Sequence, residues 1–258
     1  MSEKSNAKRS RSEMEHFNNI ASRYVKKDLF APSRIARSLR IRQTVSGIPD
    51  PVSSDILEIG CGAGYASEFL KGSFLKYTGI DFSEGLINIA RTIHKGPGVE
   101  FYKADLYKYE PGKKFDLIII IGVLHHMVDI PLALKICKKL LKPGGVIAVN
   151  EPQDSNILVG FVRKLRSRFD KTYSSDQEEL DRKGLKKLFE QTGFADVRVK
   201  PQGFFSTPFA EVMMKPGFIF KPLSWLACNI DLLIEKNTGR FFSGLSWNII
   251  VVGKNPEI

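Results

Sequence analysis

From about residue 55 to residue 150, short apolar runs alternate with amphipathic ones. Residues 55–59 (DILEI), 76–80 (KYTGI), 99–103, 115–121 (FDLIIII) and 146–149 read as strands. The four consecutive isoleucines at 118–121 mark a strand covered on both faces, as in a parallel sheet. Between the strands, residues 66–70 form the heart of a helix. Residues 83–94 read as a helix that Ser83 can cap, residues 130–141 as another, and 142–145 as a turn. Alternation at this spacing predicts βαβ units and the α/β class: a doubly wound, mostly parallel sheet.

Outside that core the pattern changes. Residues 16–27 (HFNNIASRYVKK) carry apolar side chains at 17, 20, 21, 24 and 25, a short amphipathic helix. A second helix is expected over 33–45, stopped by the Gly47-Ile-Pro49-Asp-Pro51 run. The alternation breaks between Glu151 and about Asp181, then resumes with a helix at 182–191, closed by Gly193, and a strand at 195–200. Residues 203–243 form a second irregular piece, and 246–252 the last strand. The longest apolar stretch, 218–234, is interrupted by Lys221, Pro222 and Asp231, so it is not expected to span a membrane. The expected organisation is a disordered basic arm over 1–15 and a single domain over 16–258. Within the domain, helical cap insertions are expected at about 152–182 and 203–245.

Composition narrows the chemistry. The chain has 258 residues, 43% hydrophobic and 26% charged, enough to bury a core without staples. Three scattered cysteines exclude a disulfide scaffold or zinc knuckle and suit a reducing, cytoplasmic setting. Four histidines, with His125 and His126 adjacent, show no metal-ligand spacing. The net charge is +11, but residues 1–44 hold 11 Lys/Arg against 4 Asp/Glu. The body is therefore only mildly basic, which weakens the case for a nucleic-acid partner. The polar start lacks an apolar h-region, so no secretory signal is expected.

The strongest motif is Glu58-Ile-Gly60-Cys61-Gly62-Ala-Gly64, directly after the first strand and before a helix. Glycines there allow a sharp turn and a close approach of backbone to ligand at a helix N-terminus. Glu58, Asp81 and Asp105 end or follow consecutive strands, so they line one crevice, the usual ligand position of an open α/β sheet. A dinucleotide fingerprint would need glycine where Tyr65 stands. A glutamate beside the loop serves a cationic ligand better than a pyrophosphate.

On these residues the chain resembles the class I S-adenosylmethionine (SAM)-dependent methyltransferases, with a seven-stranded Rossmann-like sheet, over about residues 51–152. The resemblance implies that Glu58, Gly60, Cys61, Gly62 and Gly64 cradle the methionine part and ribose of SAM. It implies that Asp81 binds the ribose hydroxyls, that Phe82 covers the adenine, and that Asp105 and Leu106 contact the adenine edge. The segment Gly122-Val-Leu-His125-His126-Met127, the turn Leu141-Lys-Pro-Gly-Gly145 and Asn150-Glu151-Pro152 resemble motifs of the small-molecule branch, the ubiquinone and menaquinone methyltransferases. There the 16–27 helix would close over the cofactor, which makes Tyr24 a contact, and Gly122 would border the same site.

Plainer readings stand beside these. The glycines could serve the turn alone, Cys61 could be a small loop filler, and one histidine of the pair could be a cap or packing residue. Methyl transfer is an in-line displacement in which alignment and exclusion of water do most of the work. A base is needed only for a protonated nucleophile, and His125, His126 and Glu151 are the candidates. The Asp/Asn-Pro-Pro-Tyr tetrapeptide of family members acting on amide or base nitrogens is missing after the fourth strand. The expected acceptor is a small molecule offering an O, N or C nucleophile. The aromatics Phe161, Phe169, Phe204, Phe205, Phe209, Phe218, Phe220 and Trp225 would suit a hydrophobic or lipid-linked one, or simply build the cap's own core. Two alternatives remain: an RNA methyltransferase using the basic arm, and a cap that contacts a membrane surface or a partner. Replacing Asp81 with alanine is expected to abolish SAM affinity in calorimetry while the fold persists; unchanged affinity would remove Asp81 from the site.

Overall fold

The protein is described as a computed structural model covering residues 25–48, 51–153, 181–237 and 243–256. The arm over 1–15, Tyr24, Phe161, Phe169 and most of the 152–182 insertion lie outside these residues. Seven strands form one sheet in the order β3-β2-β1-β4-β5-β7-β6. They are β1 (Asp55–Ile59), β2 (Lys76–Asp81), β3 (Val99–Lys103), β4 (Phe115–Ile121), β5 (Leu141–Pro152), β6 (Ala195–Gln202) and β7 (Asn248–Lys254). β1 to β5 pair in parallel, and β7 runs antiparallel to both β5 and β6. The expected doubly wound, mostly parallel sheet is the observed one.

Burial explains the central run of isoleucines. Ile118 and Ile120 face one apolar cluster with Leu57, Ile80, Ile147 and Val149, while Ile119 faces another with Ile56, Tyr77 and Ala148. Each face is covered by helices. Helices α1 (Ala31–Thr44), α2 (Tyr65–Phe69) and α3 (Glu84–Ile93) supply Ile41, Ala66 and Ile87 to the second cluster. Helices α4 (Ile130–Leu140) and α5 (Arg182–Gln191) supply Leu134 and Phe189 to the first. Side-chain caps from Ser83, Asp129 and Asp181 accept amide hydrogens at the starts of α3, α4 and α5.

The structure departs from the sequence reading in three places. Residues 142–145, expected as a turn, begin β5. Asn255 closes around them, its Nδ2 donating to the carbonyls of Leu141 and Lys142 while its backbone exchanges bonds with Gly144 and Gly145. The helix expected around 66–70 has only five residues. The 203–245 insertion, expected to be a helical cap with its apolar stretch interrupted at Lys221, Pro222 and Asp231, contains helix α6 (Thr207–Glu211) and the continuous 21-residue helix α7 (Gly217–Asn237). Neither Pro222 nor Asp231 breaks α7, and the helix is long and apolar enough to cross a membrane by length and composition.

Helix α7 lies alongside α1 and runs parallel to it: Ser224 Oγ donates to the Pro32 carbonyl near one end, and Gln43 meets Glu235 near the other. Asp231 is fully buried, and its two oxygens accept from the amides of Phe205 (2.8 Å) and Ser206 (2.9 Å). Asp231→Ala strands both amides, so it should lower unfolding stability by about 2–3 kcal/mol in urea titration, with Asp231→Asn losing less because one acceptor remains.

Candidate functional site

The site is assembled at the carboxyl ends of β1, β2, β4 and β5, where the strand order reverses between β1 and β4. The loop after β1 is pinned to β2: the amides of Gly60 and Cys61 both donate to the Ile80 carbonyl. Gly60, Gly62 and Gly64 all have positive φ. A Cβ at Gly60 would lie 2.5 Å from Val123, and one at Gly64 would lie 2.7 Å from the Phe101 ring. Those two glycines let the loop pack. At Gly62 a Cβ would meet nothing within 4 Å, so this glycine borders open space, where a ligand can lie against the backbone.

Asp81 holds this geometry. Its Oδ2 accepts from the Gly62 amide at 2.9 Å and its Oδ1 from the Ser83 amide at 2.8 Å. Burial raises its pKa, and amide bonds from Ser83, Gly62 and Phe82 partly offset that. A carboxylate accepts about four hydrogen bonds, so with three amides bound about one acceptor site remains for a hydroxyl donor. Phe82, beside it, is half-buried. Asp105 is exposed and caps the following turn through Tyr107, whereas the Leu106 side chain belongs to the core. The Cys61 side chain is also in the core, and burial together with Glu58 and Asp81 raises its thiol pKa well above the usual value. That thiol stays protonated and fills the loop; it is no nucleophile.

Glu58 is buried and accepts from the Tyr77 hydroxyl. Its pKa is pushed up to about 8, chiefly by burial, with the Tyr77 bond opposing and the Asp81 charge adding. Burial thus favours the neutral form of this side chain.

On the other side of the crevice, β5 delivers Glu151, which is fully buried. Its Oε1 accepts from the amides of Val123 (2.9 Å) and Leu124 (2.7 Å), and its Oε2 lies 2.5 Å from Nδ1 of His125. Burial would raise its pKa, but His125 and the two amides outweigh it and hold the carboxyl below its ordinary value. The His125 and His126 rings lie against each other, centroids 4.0 Å apart and planes tilted by 40°. Of the three candidate bases, Glu151 therefore has its oxygens committed, and His125 is the side chain it orients. Gly122 has positive φ, and its amide donates to the Asn150 carbonyl.

Sequence reasoning missed the contribution of α1. Arg34, Arg37 and Arg40, three residues apart, form one stripe. Arg34 pairs with Glu68 (2.6 Å), Arg37 with the buried Asp28 (2.8 Å) and Arg40 with Glu211 (3.2 Å). Arg40 Nε also donates to Asn150 Oδ1 at 2.8 Å, and its guanidinium lies beside Gly122. The i, i+3 spacing of these arginines is the sequence signal of that stripe.

A family model described as a methyltransferase domain matches residues 30–199, most of the chain. The chain belongs to the methyltransferase-domain family. Among curated relatives, the ubiquinone biosynthesis O-methyltransferase of Rhizobium etli is 37% identical over 97 residues, covering 36% of this chain and 39% of that protein. Its namesake from Sinorhizobium fredii is 34% identical over 105 residues, covering 39% of this chain and 42% of that protein. This methyltransferase-domain chain thus matches about two fifths of the length of those relatives.

Solved structures extend the likeness of fold to nearly the whole chain. A SAM-dependent methyltransferase from Thermotoga maritima, a possible histamine N-methyltransferase, has a TM-score of 0.65 at 19% identity, covering 94% of this chain and 99% of that one. The magnesium protoporphyrin IX methyltransferase of Synechocystis, with bound S-adenosylhomocysteine, has a TM-score of 0.63 at 13% identity, covering 95% and 99%.

The elevated Glu58 pKa has a definite consequence for the stability of this family member. The unfolded chain ionises near 4.5 and the folded one near 8, so this group's contribution is complete below 4.5 and is lost as pH rises to about 8. Glu58→Gln should remove that slope. In urea unfolding at pH 5 and pH 8, the variant should gain on the order of 1–4 kcal/mol relative to wild type at the higher pH; equal slopes would contradict the assignment.

Proposed function

We propose that the chain is a SAM-dependent methyltransferase that methylates a hydroxyl oxygen of a small, hydrophobic acceptor. The observation carrying this reading is the His125–Glu151 pair at 2.5 Å, set beside the open glycine loop. The names of the relatives, O-methyltransferases of ubiquinone biosynthesis, support it.

The residues present fit SAM. The backbone at Gly62 offers contact surface, Asp81 keeps an acceptor site for a ribose hydroxyl, and Asp105 and Leu106 would meet the adenine edge as the resemblance implies. Phe82 would cover the ring, and Gly122 would border the methionine end. Glu58 would ionise against the ammonium group. Tyr24 lies outside the described residues, and its contact stays an inference from the resemblance. When bound, SAM supplies an electrophilic methyl group that leaves its sulfur as the new bond to oxygen forms.

The chain's own task is to position the acceptor and take its proton. A hydroxyl is a poor nucleophile until its proton leaves, and a well-placed base contributes about 10²–10⁴-fold. Glu151 accepts the Nδ1 hydrogen of His125 and so fixes the tautomer whose Nε2 lone pair can receive the acceptor's proton. The imidazolium that results is stabilised by the same carboxylate. Glu151 is a positioning residue in this scheme, and His126 packs against the base.

With a phenolic acceptor, His125→Ala should lower kcat by about 10²–10⁴-fold while SAM affinity in calorimetry is retained. Activity should recover as pH approaches the pKa of the phenol, or with a more acidic phenol that arrives ionised. An equal deficit for acidic and ordinary phenols would overturn the role of His125 as base.

A further inference from the structure

Helix α7 is amphipathic in the inverted sense. The side turned to the protein carries Ser224, Ala227, Cys228 and Asp231, all buried. The side turned to solvent carries large apolar residues, including Phe218 (79% exposed), Trp225 (60%) and Leu233 (62%), together with Ile219, Leu223 and Leu226. A surface helix normally buries its apolar stripe against the core. Here the polar residues are used for docking and the apolar ones are displayed.

Charge on the helix is sorted in the same way. Its two acids face inward: Asp231 accepts from the Phe205 and Ser206 amides, and Glu235 accepts from Gly203 and Gln43. The exposed charges on α7 are Lys221 and Lys236, one near each end, with exposed Lys215 just before the helix. The face offered to solvent is thus apolar along its length and flanked by cations.

We propose that α7 is an in-plane anchor that seats the protein on an anionic lipid bilayer. An apolar helix face inserts to the depth of the headgroup boundary, and lysines at its margins meet acidic headgroups. Trp225, on the exposed face, suits that boundary. A spanning orientation is excluded by the docked side: crossing the bilayer would strip Asp231 and Glu235 of their amide partners and carry both into hydrocarbon. A second copy of the chain would also cover apolar surface, but it would set lysines against lysines if the helices paired in parallel. An anionic bilayer complements them throughout. This anchor does not depend on the acceptor chemistry proposed above.

The test is flotation of the full chain with vesicles of phosphatidylglycerol and phosphatidylcholine in equal parts, against phosphatidylcholine alone. Wild-type protein should float with the anionic vesicles and far less with the neutral ones. Phe218→Glu combined with Leu226→Glu should reduce partitioning by about tenfold or more, with circular dichroism and melting unchanged. Lys221→Glu with Lys236→Glu, which leaves the packed side untouched, should reduce it by about fivefold per lysine at low salt. Absence of wild-type flotation, or equal flotation of all three proteins, would overturn the proposal. So would a concentration-dependent dimer that the glutamates disrupt while vesicle binding is unaffected, because a second copy would then be the occupant.

Discussion

Carboxylates buried at the carboxyl edge of one parallel sheet must find hydrogen-bond donors, and that requirement shapes the surrounding loops. An unpaired charge in such a place would cost several kcal/mol. Each acid meets the demand differently. Asp81 takes the Gly62 and Ser83 amides, and so draws the glycine loop against the second strand. Glu151 takes two amides from the turn after β4 and one imidazole hydrogen. Glu58 has a single hydroxyl donor and stays protonated to a pKa of about 8. Loop shape, tautomer choice and the raised pKa of Glu58 follow from which donors each acid found.

The same logic extends outward through polar side chains. Asn150, fully buried beside Glu151, bonds Arg40, Thr44 and Gln202. Gln202 continues to Gln43 and Asn248, and Gln43 reaches Glu235. Helices α1 and α7 are therefore tied to the strand ends that carry the candidate site by a continuous network, beyond their apolar contacts. Such networks specify a unique arrangement because every member must be satisfied together. The arginine stripe of α1 belongs to this framework: three cations answer carboxylates and an amide near the crevice. The N-terminal charge excess is in part structural.

Much of this was legible in the residues. The strands β1, β3 and β4 begin and end where the apolar runs do, and Ser83 caps α3 as its position implied. Periodicity was sufficient there because β1 and β4 are buried on both faces, β3 alternates about the buried Phe101, and α3 is capped by local chemistry. Where it misled, a distant partner intervened. Asn255 converts an expected turn into the start of β5. The 218–234 stretch reads as interrupted because Asp231 is an acid in an apolar run, yet it is the residue that fastens α7 to the chain near Phe205.

The sequence by itself determined the doubly wound sheet, the glycine loop after its first strand, and the row of acids at consecutive strand ends, because βα alternation and backbone freedom are local properties. Only the tertiary structure decided what those acids do. Glu151 could not be told from a second base until its oxygens were seen committed to Val123, Leu124 and His125, and Arg40 could not be placed until α1 was laid against Asn150. The direction of α7 was likewise a tertiary matter, since amphipathic spacing marks two faces and only the docking of Asp231 decides which one meets the protein. Hydrogen-bond partners far apart in the chain are set by packing, and spacing along the sequence carries no record of them.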